Sequence, residues 1–389
     1  MDAYIVKGYR SAVGKAHKGG VKNYRSDDLA VDIIKHLIAS VPQLDPNTVD
    51  DLIVGCANPE GEQGLQIGRL IAARALGQDV PGVTINRYCG SGLEAISMAV
   101  GKIRAGYGHI YIAGGTESMS SVPMTGYKLA PSYKANQHNI NYHVGMGHTA
   151  EAVAVKYEVT REQADAFSVE SHSRAANAID NGYFKDEIVP VTVEDVFVKD
   201  GKRIESSHVV DTDEGLRRGT SMEGLGKLRA VFKKGGIVTA GNSSQTSDGA
   251  AFTLVMSEEM VKQLKLEPVA RLMSCSVAGV DPLYMGIGPC AAVPKAIKMS
   301  GLSLNDIEQT ELNEAFAAQA LAVIKTLGLD HKNVNVNGGA VALGHPLGCT
   351  GAKLTVQLLN EMKRRNQKYG MVTACIGGGQ GIAGIFERF

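Results

Sequence analysis

Two cysteines, one histidine and one asparagine stand in four stretches, three of them marked by glycine, and these residue types suit acyl chemistry at sulfur. The first turn is Cys89-Gly-Ser-Gly92, between what reads as a short buried strand (Val83, Ile85) and an apolar helix reaching Val100. A thiol at a helix N-terminus faces unpaired N–H groups and the positive end of the helix dipole, so its pKa is expected to fall and its thiolate, the reactive form, to grow. The alternative is a small buried cysteine in a tight turn. The second turn is Asn313-Glu-Ala-Phe316, where Asn313 could equally be a helix N-cap. The third, Asn337 to Gly348, holds His345 beside a proline, a candidate base or a hydrogen-bonded structural histidine. The fourth, Cys375-Ile-Gly-Gly-Gly-Gln-Gly381, follows a strand-like run, so Cys375 alone would be a core residue.

Two glycine-rich stretches invite a nucleotide reading and do not support it. Gly377–Gly381 runs into apolar Ile382-Ala-Gly-Ile-Phe386, a strand, whereas a dinucleotide fingerprint must open a helix. Gly348-Cys-Thr-Gly351 precedes a helix but lacks the Lys-Ser/Thr of a phosphate loop.

The elements that must position these turns occur twice. In the first pass come a strand at residues 2–9, a helix from Ser26 to Ile38, a strand Asp51–Cys56, a helix Gly64–Leu76, the Val83 strand with the Cys89 helix, and a strand Ile110–Gly115. Val269–Ser274, Ile307–Leu312, Val334–Asn337 and Gly370–Ile376 repeat the strand order. Two α/β halves around a pseudo-two-fold follow, with Cys89 on one and Gly344-His-Pro346 on the other. Between them, residues 119–249 are more polar, with a helix pair (Thr149–Tyr157, Arg161–Gly182), charged strands from Glu187 to Arg203, and a strand from Ile237 entering a small-residue helix start near Ala251. The expected division is 1–118 with 250–266, an inserted 119–249, and 267–389.

A chain of 389 residues has room for such a core, and its 46 glycines imply many close backbone approaches. Forty basic against forty acidic residues argue against bulk attraction to nucleic acid or membranes. The six cysteines form no C-x-x-C and no zinc-type pairing with histidine, so no metal is expected and a reducing compartment is. The N-terminus starts directly on a strand, without signal or transit features, and no run is long enough to cross a bilayer; the expected location is cytoplasmic.

Taken together, the four motifs, in this order and spacing and over the full length, resemble those of the thiolases. The resemblance implies a thiolase fold: two duplicated α/β halves in five αβαβα layers, with an inserted loop domain that binds coenzyme A. It implies Cys89 as acyl-accepting nucleophile, and His345 as its activator, polarising the thioester oxygen together with a water held by Asn313. It also implies Cys375 as general acid/base, and a second oxyanion hole from the N–H groups of Cys89 and Gly377. Coenzyme A contacts fall by resemblance on Met146, Arg217, Phe232, Ala240, Ser244 and Phe316, while Gly224 stands where a serine is often found. Arg217 and Arg218 could also be a solvated charged pair. Coenzyme A is then a substrate, and no separate cofactor is called for. A homodimer or homotetramer is implied, with an enoyl-CoA hydratase/3-hydroxyacyl-CoA dehydrogenase as a possible partner by analogy.

Gly145-Met-Gly-His-Thr-Ala-Glu151 has glycine where acetoacetyl-specific biosynthetic members tend to carry histidine, which leaves room for a longer acyl chain. The expected activity is thiolysis of 3-ketoacyl-CoA in fatty-acid β-oxidation. The alternatives are a biosynthetic acetyl-CoA acetyltransferase, a condensing ketoacyl synthase, which lacks a counterpart of Cys375, and a non-catalytic lipid-binding relative, which would have lost one of Cys89, His345 or Cys375.

Overall fold

The structure, a computed structural model, describes residues 2–389. Nine strands line up in one mixed sheet in the order Gln309–Leu312, Tyr369–Ile376, Gln380–Arg388, Ala270–Gly279, Ala3–Ser11, Ser247–Ser257, Ile110–Ser118, Asp51–Gly55 and Gly82–Ile85. Within the first half this order is first, fifth, fourth, second, third. The second half repeats it outward from Ala270–Gly279. The halves join antiparallel across their first strands, at Ile5 and Ala270.

The duplication expected from the sequence is therefore real, with one shortfall. In the first half the second strand pairs in parallel with both neighbours, Ile53 lying beside Val83 and Ala113. In the second half the third strand shrinks to one parallel bridge between Thr310 and Val334. Asn335 (φ 48°) and Gly338 (φ 79°) turn the chain out of extended conformation there. The path then makes a short helix, Ala340–Leu343, before His345.

Two helices form the middle layer. Ser91–Arg104 and Leu347–Arg365 share a core with strands from both halves, including Ile53, Val255, Leu272, Val372 and Ile382. Glycines allow them to touch: a Cβ on Gly92 would lie 2.5 Å from the Ala352 nitrogen, and one on Gly351 would lie 2.3 Å from that of Leu93. Ser26–Ala39 and Ile67–Ala75 cover the first half's outer face. Gly288–Ser300 covers that of the second. The result is helix, sheet, helix, sheet, helix. Ile110–Ser118 and Ser247–Ser257 are accordingly buried along their whole length.

Three readings of the sequence need correction. Ile237–Ala251 is not a strand entering a helix: Ile237–Asn242 is irregular, and Ser247–Ser257 is the first half's fifth strand, wedged between the first and fourth. Its small residues had suggested a helix start, but they serve close sheet packing, since a Cβ on neighbouring Gly114 would come within 2.0 Å of the Ala251 carbonyl oxygen. The helix expected from Gly64 begins only at Ile67, because Leu65 and Gln66 are left-handed. Gly82–Ile85 is a half-buried edge strand, not a buried one.

The insertion contributes the helices Met146–Lys156 and Arg161–Asp180, the second opened by a Thr160–Gln163 capping box. Its hairpin pairs Val191–Lys199 with Lys202–Val210. Fully buried Arg10 ties this region to the first strand, meeting Glu187 at 2.7 Å and Asp213 at 2.7 and 2.9 Å. That bidentate fork is geometry lysine could not reproduce.

Candidate active site

Cys89 sits in a single 3-10 turn, Tyr88–Gly90, that opens the helix at Ser91. Tyr88 has φ 43°, a strained conformation for an aromatic residue and of a kind that gathers at functional sites. Ser91 holds the turn, its hydroxyl accepting from the Arg87 N–H at 2.8 Å and donating to the Tyr88 carbonyl at 2.7 Å. Gly90 lets the turn reach the other half, since a Cβ there would meet the Ile376 side chain at 2.7 Å. Cys375, next to Ile376, is thereby brought close enough that the Cys89 charge raises its pKa.

The N–H groups of Gly377 and of Cys89 itself point at the Cys89 sulfur and favour its thiolate. Burial outweighs them and pushes the thiol up to about 12, although the residue keeps partial solvent access. The expected depression of this pKa is thus corrected: the helix terminus is present, but desolvation of the anion is the larger effect. Cys375 is buried, and its pKa is also raised, first by desolvation. Both cysteines are thiols at rest. A measurable consequence is that the iodoacetamide reaction at Cys89 should keep accelerating from roughly pH 7 to 9 as the thiolate fraction grows. A plateau already at neutral pH would contradict the desolvated site.

His345 lies two residues before Leu347–Arg365, as Cys89 lies two residues before Ser91–Arg104. Gly344 (φ 100°) makes the bend, and a Cβ there would strike the Ser247 hydroxyl at 2.4 Å. The His345 N–H donates to that hydroxyl at 3.1 Å. Nδ1 is 2.6 Å from the Thr350 hydroxyl, and Nε2 is 3.3 Å from Nδ2 of Asn313. Burial, helped by the Lys353 charge, pushes the histidine down to about 3, so the ring is neutral and able to accept a proton. Asn313 is fully buried and is no helix cap, the following helix being capped at Phe316. Its Oδ1 has no partner, and an orphaned buried acceptor suits a held water.

Glu117, at the end of the fourth strand, couples the two halves. Its buried carboxylate accepts from the N–H groups of Ala57 (2.7 Å), Asn58 (3.2 Å) and Gly348 (2.8 Å) and from the Gln63 amide (2.8 Å). It thus pins the first turn of the His345 helix to a first-half loop.

Around Cys375 the wall is apolar: Met146, Ala150, Val238, Met285, Ala315 and Phe316 share one cluster with it. Met146 also approaches Gly377, its sulfur 3.6 Å from where a Cβ would sit. Phe316 meets Phe232 edge-on at 6.4 Å, and Phe232 lies over Gly147. The Ser244 N–H donates to the Ala315 carbonyl at 3.0 Å, and exposed Arg217 reaches the Ala240 carbonyl at 3.4 Å. The six coenzyme A candidates thus lie along one surface of the insertion and the Asn313 loop. Arg218 stands apart, paired with Asp180. Met285, Glu117 and Thr350 escaped the sequence reading. Only Glu117 carried a signal, as a charge closing an apolar strand. Among the described residues no cluster of His, Cys, Asp and Glu could hold a metal, and no helix is long and apolar enough to cross a membrane.

Comparison with known proteins agrees over the whole chain. Residues 3–259 match the family described as Thiolase, N-terminal domain, and residues 266–388 match Thiolase, C-terminal domain. A 3-ketoacyl-CoA thiolase of Bacillus subtilis is 52% identical over 99% of this chain and 99% of its own. One of Acinetobacter baumannii is 47% identical over 100% and 98%. Among solved structures, Bacillus anthracis acetyl-CoA acetyltransferase (39% identical, covering 100% and 99%) and human mitochondrial 3-ketoacyl-CoA thiolase (38%, likewise 100% and 99%) both superpose with a TM-score of 0.90. Its doubled sheet, both matched domains and its full-length relatives agree: this chain belongs to the thiolase family.

Proposed function

We propose that the protein is a 3-ketoacyl-CoA thiolase of the degradative type, cleaving 3-ketoacyl-CoA with coenzyme A to acetyl-CoA and a shortened acyl-CoA. The observation that supports this reading is the approach of the Cys89 turn to the Cys375 strand of the other half, Gly90 lying against Ile376, with a buried neutral His345 at the matching position of the second half. His345 Nε2 takes the Cys89 proton. The thiolate attacks the 3-keto carbon, the Cα–Cβ bond breaks, and its electron pair leaves as the acetyl-CoA carbanion. Cys375 protonates that carbanion, then recovers a proton from the incoming coenzyme A thiol, whose thiolate releases the acyl group from Cys89, and the freed Cys89 sulfur takes its proton back from His345. The N–H groups of Cys89 and Gly377 hold the developing oxyanion at the acyl carbon, and His345 with the Asn313 water holds the thioester oxygen of the acetyl unit. Each such donor is worth about 2.7–4 kcal/mol of barrier.

Met146, Arg217, Phe232, Ala240, Ser244 and Phe316 hold coenzyme A, making residues 119–249 the principal binding region. The group is a substrate, and no further cofactor enters. The relatives' names support the longer-chain substrate. Within the same reading the enzyme serves β-oxidation in the cytoplasm as a homodimer or homotetramer, with a hydratase/dehydrogenase as its metabolic neighbour.

Space at Gly145 supports the degradative type: a Cβ there meets only His148, at 3.7 Å. The test is steady-state thiolysis of 3-ketoacyl-CoA from four to sixteen carbons. Broad turnover is expected, and turnover confined to four carbons would make this an acetoacetyl-CoA enzyme. Gly145→His should narrow the range, lowering kcat/KM for the longest chains by about 10–200-fold while sparing the four-carbon substrate.

A further inference from the structure

The proposed mechanism fixes which nitrogen of His345 carries the resting proton. To take the Cys89 proton, Nε2 must present a lone pair, which in a neutral ring puts the proton on Nδ1. Having taken it, the imidazolium keeps Nδ1–H and offers Nε2–H to the thioester oxygen. Nδ1–H is buried throughout and needs an acceptor. A carboxylate there would favour the charged imidazolium before the thiol is met.

The group at Nδ1 is instead the Thr350 hydroxyl, buried, 2.6 Å away, one helical turn into Leu347–Arg365. A hydroxyl has one proton and two lone pairs, and it rotates. The same oxygen is 3.0 Å from the Pro346 carbonyl. That carbonyl already accepts from the Cys349 and Thr350 N–H groups at 2.9 and 3.0 Å, so it does not depend on the hydroxyl. The hydroxyl therefore gives its proton to Pro346 and accepts Nδ1–H, which sets the tautomer that leaves Nε2 bare.

We propose that Thr350 is the positioning residue of His345, a hydroxyl that holds the proton on Nδ1 and so leaves Nε2 bare to take the Cys89 proton and then, as Nε2–H of the imidazolium, to donate to the oxyanion. The assignment rests on the reading of His345 as the activator of Cys89. Thr350 touches no substrate and acts only through the ring.

The experiment compares Thr350→Val, which keeps the shape and removes the hydroxyl, with Thr350→Ser, which keeps the hydroxyl. Readouts are kcat and KM for thiolysis and the iodoacetamide rate at Cys89, with His345→Ala run alongside. Thr350→Val should lose about 10- to 100-fold in kcat, the usual cost of removing the partner that orients a functional histidine, with KM little changed and alkylation slowed in parallel. Thr350→Ser should recover both rates to within about threefold. Should Thr350→Val not fold, Thr350→Ala with the same readouts takes its place. Wild-type kcat and alkylation without the hydroxyl would overturn the assignment. So would a serine variant as impaired as the valine one, which would move the effect to the methyl group. If His345→Ala alkylates at the wild-type rate, the base reading itself fails and the assignment of Thr350 falls with it, an outcome distinct from the other two.

Discussion

Thiolysis should fall by about 10⁴-fold or more in Cys89→Ser, a barrier increase of roughly 5 kcal/mol or above, while the fold survives. The side chain changes by one atom, and the turn that carries it is held by Ser91 and by backbone contact with Ile376, not by the sulfur. A serine hydroxyl ionises far less readily than a thiol, and the site is already one in which burial opposes the anion. With a neutral imidazole and no carboxylate behind it, nothing there would activate an alcohol. Intact-mass spectrometry after mixing with 3-ketoacyl-CoA reads the same result from the other side: an acyl adduct on the parent chain and none on the variant. Substantial turnover by Cys89→Ser would remove Cys89 as the nucleophile.

Cys375→Ala should cost about 10²–10⁴ in kcat, the range for a general acid/base. It should differ from the first variant in one respect: Cys89 should still react with iodoacetamide, because the N–H groups of Gly377 and Cys89 that favour its thiolate are backbone groups and remain. Equal loss of alkylation and turnover would mean that Cys375 acts by shaping the Cys89 turn and not by moving a proton.

Much of this was legible in the chain. The order of strand-like runs, Asp51–Cys56 answered by Ile307–Leu312 and Ile110–Gly115 by Gly370–Ile376, carries the pseudo-symmetric sheet: most are short apolar runs between turns, while Ile307–Leu312 buries Gln309, Thr310 and Glu311. The four motifs carried the chemistry, three of them through glycines where backbone meets backbone. Other features depend on contacts that no local pattern encodes. Ser247–Ser257 looked like a helix start since its small residues answer to a neighbour, Gly114, more than a hundred positions away. The Cys89 pKa turned on how deeply its sulfur is enclosed, which a helix-terminus argument omits. Thr350 was invisible because one threonine in a helix resembles any other until a histidine ring is found against it.

The matching offsets of Cys89 and His345, each two residues ahead of its helix, carry a further meaning. They are the same place in the two copies. Had the halves stayed identical, like would have faced like across the dyad: thiol against thiol, or imidazole against imidazole, with no donor–acceptor couple between them. Doubling the unit built the cleft, but only drift between the twins could furnish it with unlike partners. The reaction is thus a product of broken symmetry, and restoring sameness at those two positions would erase it while leaving the architecture standing.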